Sequence, residues 1–171
     1  VTTGALELFR NLVQGDESFS WLDADTRERI YNAYKLGLEL VLKGQLNKVV
    51  VKTAWAQQHD NETLVPVGAR TYELPGITAY ESSDVVLFLM GIKNPSAEVI
   101  QAVKDAVNWF EKSKIYGIRI ERIPLTGDEI INHEYPYDNV VVEDSTARPI
   151  WARYYEVADN TVFMATRAGQ K

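Results

Sequence analysis

The chain has 171 residues, a formal net charge of −6 and no cysteine. Its length fits one domain, 1–171, able to bury a core. The missing thiols exclude disulfides, thiolate metal sites and thiol nucleophiles, and the negative charge disfavours nonspecific binding to nucleic acid. No apolar run approaches membrane-spanning length, so no membrane partner is expected. An acidic chain can still hold an acidic ligand, through a local basic cluster or a bridging cation. The two histidines, His59 and His133, lie far apart in sequence, which leaves little for a histidine-based zinc site.

In chain order, the first helix is predicted from about Thr3 to Val13, with Leu6, Phe9, Leu12 and Val13 on one face. It starts directly after Val1 and Thr2, so the start reads as cut, and no signal peptide opens it. A second helix is predicted from Ala24 to Lys43, with Asp23 as N-cap and Ile30, Tyr34, Leu38, Val41 and Leu42 inward. Lys48 to Lys52 reads as extended. A third helix covers Tyr80 to Met90. A fourth runs from Pro95 to Lys112, capped by Asn94, with Ile100, Val103, Val107 and Phe110 as its stripe. Ile118 and Ile120 alternate with charged residues at strand period, and 139–142, 153–157 and 161–165 read similarly. Thr126, Gly127 and Asp128 read as a turn. The fold expected is mainly helical, with long structured loops and a few short strands; loops of that length usually carry function.

Three clusters could carry chemistry. Lys52 to Asp60 packs a cation (Lys52), an aromatic (Trp55), two amides, an imidazole (His59) and a carboxylate into nine positions, the mixture a sugar-binding cleft needs. It also reads as a loop with a buried Trp whose indole is satisfied by a carbonyl. Arg70 stands between small residues and Tyr72, just ahead of Pro75 and Gly76; it could instead pair with Glu73 or Glu81 and tie the loop to the third helix. Arg153 is flanked by Trp151, Tyr154 and Tyr155, where a strand with one cation stacked on a ring is the plainer reading. Together the two arginines point to planar carboxylates, which guanidinium binds through two parallel hydrogen bonds. Weaker features have structural explanations: Asp23 and Asp25 as a helix cap, Asp128 and Glu129 as a solvated turn. Asn61, Glu62 and Thr63 match a glycosylation acceptor.

The ordered set of Thr53 to Asp60, Thr63 to Pro66, Ala69 to Pro75, Glu81 to Ser83, Phe88 to Met90, Asn94 to Ser96 and Trp151 to Tyr154 resembles pectate lyases of polysaccharide lyase family ten. The opening, Thr2 to Glu7, resembles the start of the helix that follows the family's acidic calcium-binding segment. The resemblance departs at Tyr80, where a glycine is usual, and over 130–144. It implies the C-terminal portion of a catalytic domain that folds as an (α/α) toroid. It also implies calcium-assisted anti β-elimination of polygalacturonate or pectin outside the cytoplasm, extracellular or periplasmic in a bacterium. Arg70 matches the Brønsted base and Arg153 the substrate-carboxylate ligand. Lys52, Trp55, Tyr72 and His59 are candidate subsite contacts, and the Ca2+ ligands are expected upstream of Val1. The missing N-terminal half would then be a partner. Two rivals stay open: a noncatalytic or inactive polygalacturonate-binding fragment, and a glycoside hydrolase pairing Asp60 with Glu73 or Glu81.

Overall fold

A computed structural model describes residues 2–48, 51–126 and 136–171. The turn expected through Gly127 and Asp128, the acidic pair Asp128 and Glu129, and His133 lie outside the described residues, as do Val49 and Val50. Two compact units divide the chain: Val1–Glu111 with Ala152–Lys171, and Lys112–Trp151.

The first unit holds four helices: α1 (Thr2–Val13), α2 (Ala24–Lys43), α3 (Ala79–Met90) and α4 (Ala97–Lys112, whose last residue falls in the second unit). Helix α2 begins where Asp23 accepts from the Thr26 amide at 2.8 Å and from its hydroxyl at 2.9 Å, satisfying an orphan donor of the first turn. It stops at Gly44, whose N–H closes on the Leu40 carbonyl at 2.8 Å. α1 packs against α2 and α3. Gly37 permits the first contact, since a Cβ there would meet Leu6 Cδ2 at 2.3 Å. Arg10 secures the second by donating to the Phe88 carbonyl at 2.9 Å.

The inward face of α4 matches the expected stripe in part: Val103 and Phe110 pack partly buried against the core, but Val99, Ala102, Ala106 and Trp109 are the buried residues, whereas Ile100 and Val107 are exposed. The alanines let the helix approach closely enough for Gln45 to donate to the Ala102 carbonyl at 2.8 Å. Its cap also moves: Asn94 is in the left-handed region (φ 53°), and Ser96 Oγ accepts from the Val99 amide at 3.3 Å.

Strands β1 (Asn47–Lys48) and β2 (Val51–Lys52) pair antiparallel, with Asn47 opposite Lys52 and Lys48 opposite Val51, so the described residues of the segment are not one continuous extended piece. β3 (Ile77–Thr78), which the sequence pattern did not reveal, pairs with β6 (Tyr154–Tyr155), and β6 with β7 (Val162–Phe163). Gly76 is required there: a Cβ would lie 2.9 Å from the Tyr155 carbonyl. The second unit is built on β4 (Ile118–Pro124) and β5 (Tyr137–Glu143), an antiparallel ribbon in register from Ile118 opposite Glu143 to Pro124 opposite Tyr137.

The expected class, mainly α and part of an (α/α) toroid, is therefore corrected. The described residues form a mixed α/β chain, and no toroid is shown. α2 and α4 run into strands rather than into a further antiparallel helix. Helical period is easy to read over three turns, whereas two-residue strands leave no period, so the strand component was underweighted. No described helix is long and apolar enough to cross a membrane.

Candidate functional site

The site grows from the segment that follows β2. Ala54, Trp55 and Ala56 are buried, and their backbone is fixed by the start of α3. Ser82 Oγ accepts from the Trp55 amide at 2.9 Å and donates to its carbonyl at 3.1 Å, while the Thr78 amide donates to the same carbonyl at 2.9 Å. Two residues on, Gln57 accepts from the Tyr154 hydroxyl at 3.2 Å.

Residues 69–73 form a tight turn. The Glu73 amide donates to the Arg70 carbonyl at 2.8 Å, and the Ala69 amide donates to the Glu73 carbonyl at 3.0 Å. The Glu73 side chain folds back under this turn and is only 3% exposed. Its Oε2 accepts from the Arg70 amide at 3.1 Å, and its Oε1 accepts from Arg70 Nη2. From the position just before β6, Arg153 Nη2 reaches the same Oε1 at 3.4 Å and Glu81 Oε1 at 3.9 Å. Each guanidinium also covers a ring: Arg70 lies 5.0 Å from the Tyr72 centroid and Arg153 5.2 Å from that of Tyr154. Tyr154 is in turn stacked on Phe163.

The charges are layered. Glu73 is buried, whereas the Arg70 and Arg153 side chains are 65% and 49% exposed. The hydrogen bond from Arg70, then that from Gln57, holds the Glu73 carboxyl down to about 2, so it is an anion at any ordinary pH. The same bond from Glu73 holds the Arg70 guanidinium above its ordinary value. What faces solvent is thus a pair of forked cations over a buried counter-ion, with donors left to bind a planar carboxylate.

Of the sequence candidates, Arg70, Tyr72 and Arg153 come together here. Trp55 does not offer a stacking face: its ring is buried and Nε1 donates to the Val41 carbonyl at 2.8 Å, the alternative reading of that motif. Lys52 Nζ donates to the Leu42 carbonyl at 3.3 Å. His59 Nδ1 is 2.9 Å from the Leu64 carbonyl, and its ring lines a cavity of about 420 Å³ with Gln57, Glu81 and Asp84. Asp60 accepts from the Thr63 amide and hydroxyl, both at 2.8 Å, as a turn cap. That bond, with the low Glu73, leaves neither residue suited to be the general acid of a hydrolase.

The sequence offers Gln57 and Tyr154 only as members of their clusters, and Glu73 as a salt-bridge partner of Arg70 or a hydrolase carboxylate. The three-residue Arg–Glu spacing before Pro75 was the signal available for it. Among the described residues no group of three His, Cys, Asp or Glu could hold a metal ion, so these residues alone do not fit a calcium site.

The family model described as pectic acid lyase matches residues 3–171. A family 10 polysaccharide lyase from Cellvibrio cellulosa is similar with a TM-score of 0.80 and 27% identity, over 99% of this chain and 50% of that one. A single-substitution variant of a Cellvibrio cellulosa family 10 lyase, solved with trigalacturonic acid, gives 0.79 at the same identity and coverage. The chain thus spans about half the length of these solved structures. Among curated proteins, none matches the sequence.

Proposed function

Because the chain belongs to the pectic acid lyase family, we propose that the full-length protein carrying it is a pectate lyase that cleaves polygalacturonate by anti β-elimination, with Arg70 as base. A proton leaves C5 of a galacturonate. Its electron pair forms the C4–C5 double bond, and the glycosidic oxygen departs from C4 and is protonated. No water is consumed. The proton is weakly acidic because it sits beside a carboxylate, so charge building on that carboxylate needs cationic neighbours.

The observation that carries the reading is the pair of exposed guanidinia, Arg70 and Arg153, meeting on buried Glu73. Arg153 binds the uronate carboxylate as a fork, and Tyr72 and Tyr154 supply ring faces beside it. Arg70 is protonated in this arrangement, so it acts as base only once freed from Glu73. Calcium belongs to the proposal, with ligands from outside the described residues. The polymeric substrate argues for action outside the cytoplasm. The apolar side chains of Leu36, Leu87 and Met90 stand exposed on α2 and α3, which fits a surface covered by the remaining half of a lyase domain.

The test is formation of the ultraviolet-absorbing unsaturated product from polygalacturonate by the full-length protein. Arg70→Ala should abolish it, and near-normal activity in that variant rejects Arg70 as base. Reducing ends without the chromophore would instead indicate a hydrolase. Half-length coverage favours a second reading for this chain alone: binding without turnover.

A further inference from the structure

We propose that Glu73 is a positioning residue of the lyase site, one that sets the spacing of Arg70 and Arg153 and competes with the substrate carboxylate for them; this rests on the reading above.

The case is geometric. Glu73 is 3% exposed and carries more partners than a simple loop tie needs. One oxygen takes Nη2 of both arginines, one from the 69–73 turn and the other from the residue just before β6, far away in sequence. The other takes the Arg70 amide at 3.1 Å, so the carboxylate is fixed to the backbone that carries the base. Gln57 accepts from the Tyr154 hydroxyl, whose ring lies beneath Arg153. A long, flexible side chain such as Arg loses much rotamer freedom on binding. Two of them anchored to one buried point have lost part of it before substrate arrives, which is preorganisation.

The anchor also bears a negative charge. It draws on the donors that a uronate carboxylate would use and lowers the local positive charge. Glu73 therefore acts on both kinetic constants: placing Arg70 and Arg153 raises kcat by more than its hold on the Arg70 proton lowers it, and competition for the guanidinia raises KM. A residue that only stabilises the fold does neither, because losing it lowers the folded fraction and leaves the KM of the remaining molecules unchanged.

The experiment measures kcat and KM on polygalacturonate for full-length wild type, Glu73→Gln and Glu73→Asp, with kcat corrected for the folded fraction by near-ultraviolet circular dichroism. Glu73→Gln keeps size but removes charge. Its kcat should fall roughly ten- to hundredfold, the scale of a small misplacement, while KM falls roughly two- to fivefold, the scale of one partly screened charge. Glu73→Asp keeps the charge but shortens the reach, so corrected kcat falls and KM stays at the wild-type value. Should the glutamine variant not fold, the aspartate variant decides: unchanged corrected kcat overturns the proposal. Unchanged or raised KM in a folded glutamine variant also overturns it. A wild type that forms no unsaturated product overturns the lyase reading and this proposal with it. An active wild type with indifferent Glu73 variants overturns this one alone.

Discussion

Ser82→Ala tests whether the loop carrying the site is held by α3. Ser82 is fully buried, and its hydroxyl both accepts from the Trp55 amide and donates to the Trp55 carbonyl. Removing the oxygen affects these groups unequally. The carbonyl keeps the Thr78 amide at 2.9 Å, whereas the amide loses the partner it has here. Burying one unsatisfied donor costs about 1–3 kcal/mol, and the small cavity left by one oxygen adds little. For a protein of this size that is a fall in Tm of roughly 2–10 °C. The assay is thermal and urea unfolding of wild type, Ser82→Ala and Ser82→Cys. The Ala variant should fall in that range with the urea m-value unchanged, since the same surface is exposed on unfolding. A loss below about 0.5 kcal/mol, the level of an ordinary surface change, would refute the idea that this bond fixes the loop. Gln57 lies only two residues further on, so that result would also weaken the account of how Glu73 is supported.

Arg153→Lys keeps a charge but not a fork. It should raise KM for polygalacturonate roughly tenfold or more, measured as initial rates of product absorbance, while Arg153→Ala should raise it further. The depressed Glu73 carboxyl gives a pH dependence of stability. Its folded value is below the unfolded one of about 4.5, so its contribution is complete above pH ~4.5 and is lost as pH falls towards about 2. Unfolding midpoints measured between pH 5 and 2 should drop less steeply for Glu73→Gln than for wild type. Parallel curves would count against the ion pair persisting in solution.

Legibility differed between elements for physical reasons. α1 and α2 are readable because their apolar stripes persist over three or more turns, and Asp23 announces the start of α2 by its side-chain chemistry. In α4 only Val103 and Phe110 of the expected stripe pack against the core, because the most buried face carries Ala102 and Ala106, where closeness of approach matters more than side-chain bulk. β3 and its partners are two residues each, too short for alternation to show; tertiary pairing defines them. For the site, residue type suggested that Arg70 and Arg153 bind carboxylates. Nothing local could say that they converge, since their meeting depends on β3 pairing with β6. Trp55 illustrates the opposite error: an aromatic among polar residues looks like a platform, yet its indole faces the core and bonds to Val41.

That convergence bears on the least comfortable part of the proposed chemistry, a guanidinium acting as base. With Glu73 against it, Arg70 holds its proton more firmly than a free arginine. A substrate carboxylate placed beside it would hold the proton further. Release from Glu73 is therefore a precondition for proton abstraction, and its cost depends on what the buried carboxylate keeps afterwards. It keeps the Arg70 amide and Arg153. A carboxylate with two remaining donors, one of them a cation, is not an orphaned buried charge, which would cost several kcal/mol. The Arg70 side chain is largely solvent-exposed and can swing away while its backbone stays fixed by the same glutamate. Once it swings, Arg153 is the cation nearest the carboxylate, and its attraction to Glu73 rises as that of Arg70 falls. The two arginines thus divide one counter-ion between them, and whichever holds it less is freer to meet the substrate.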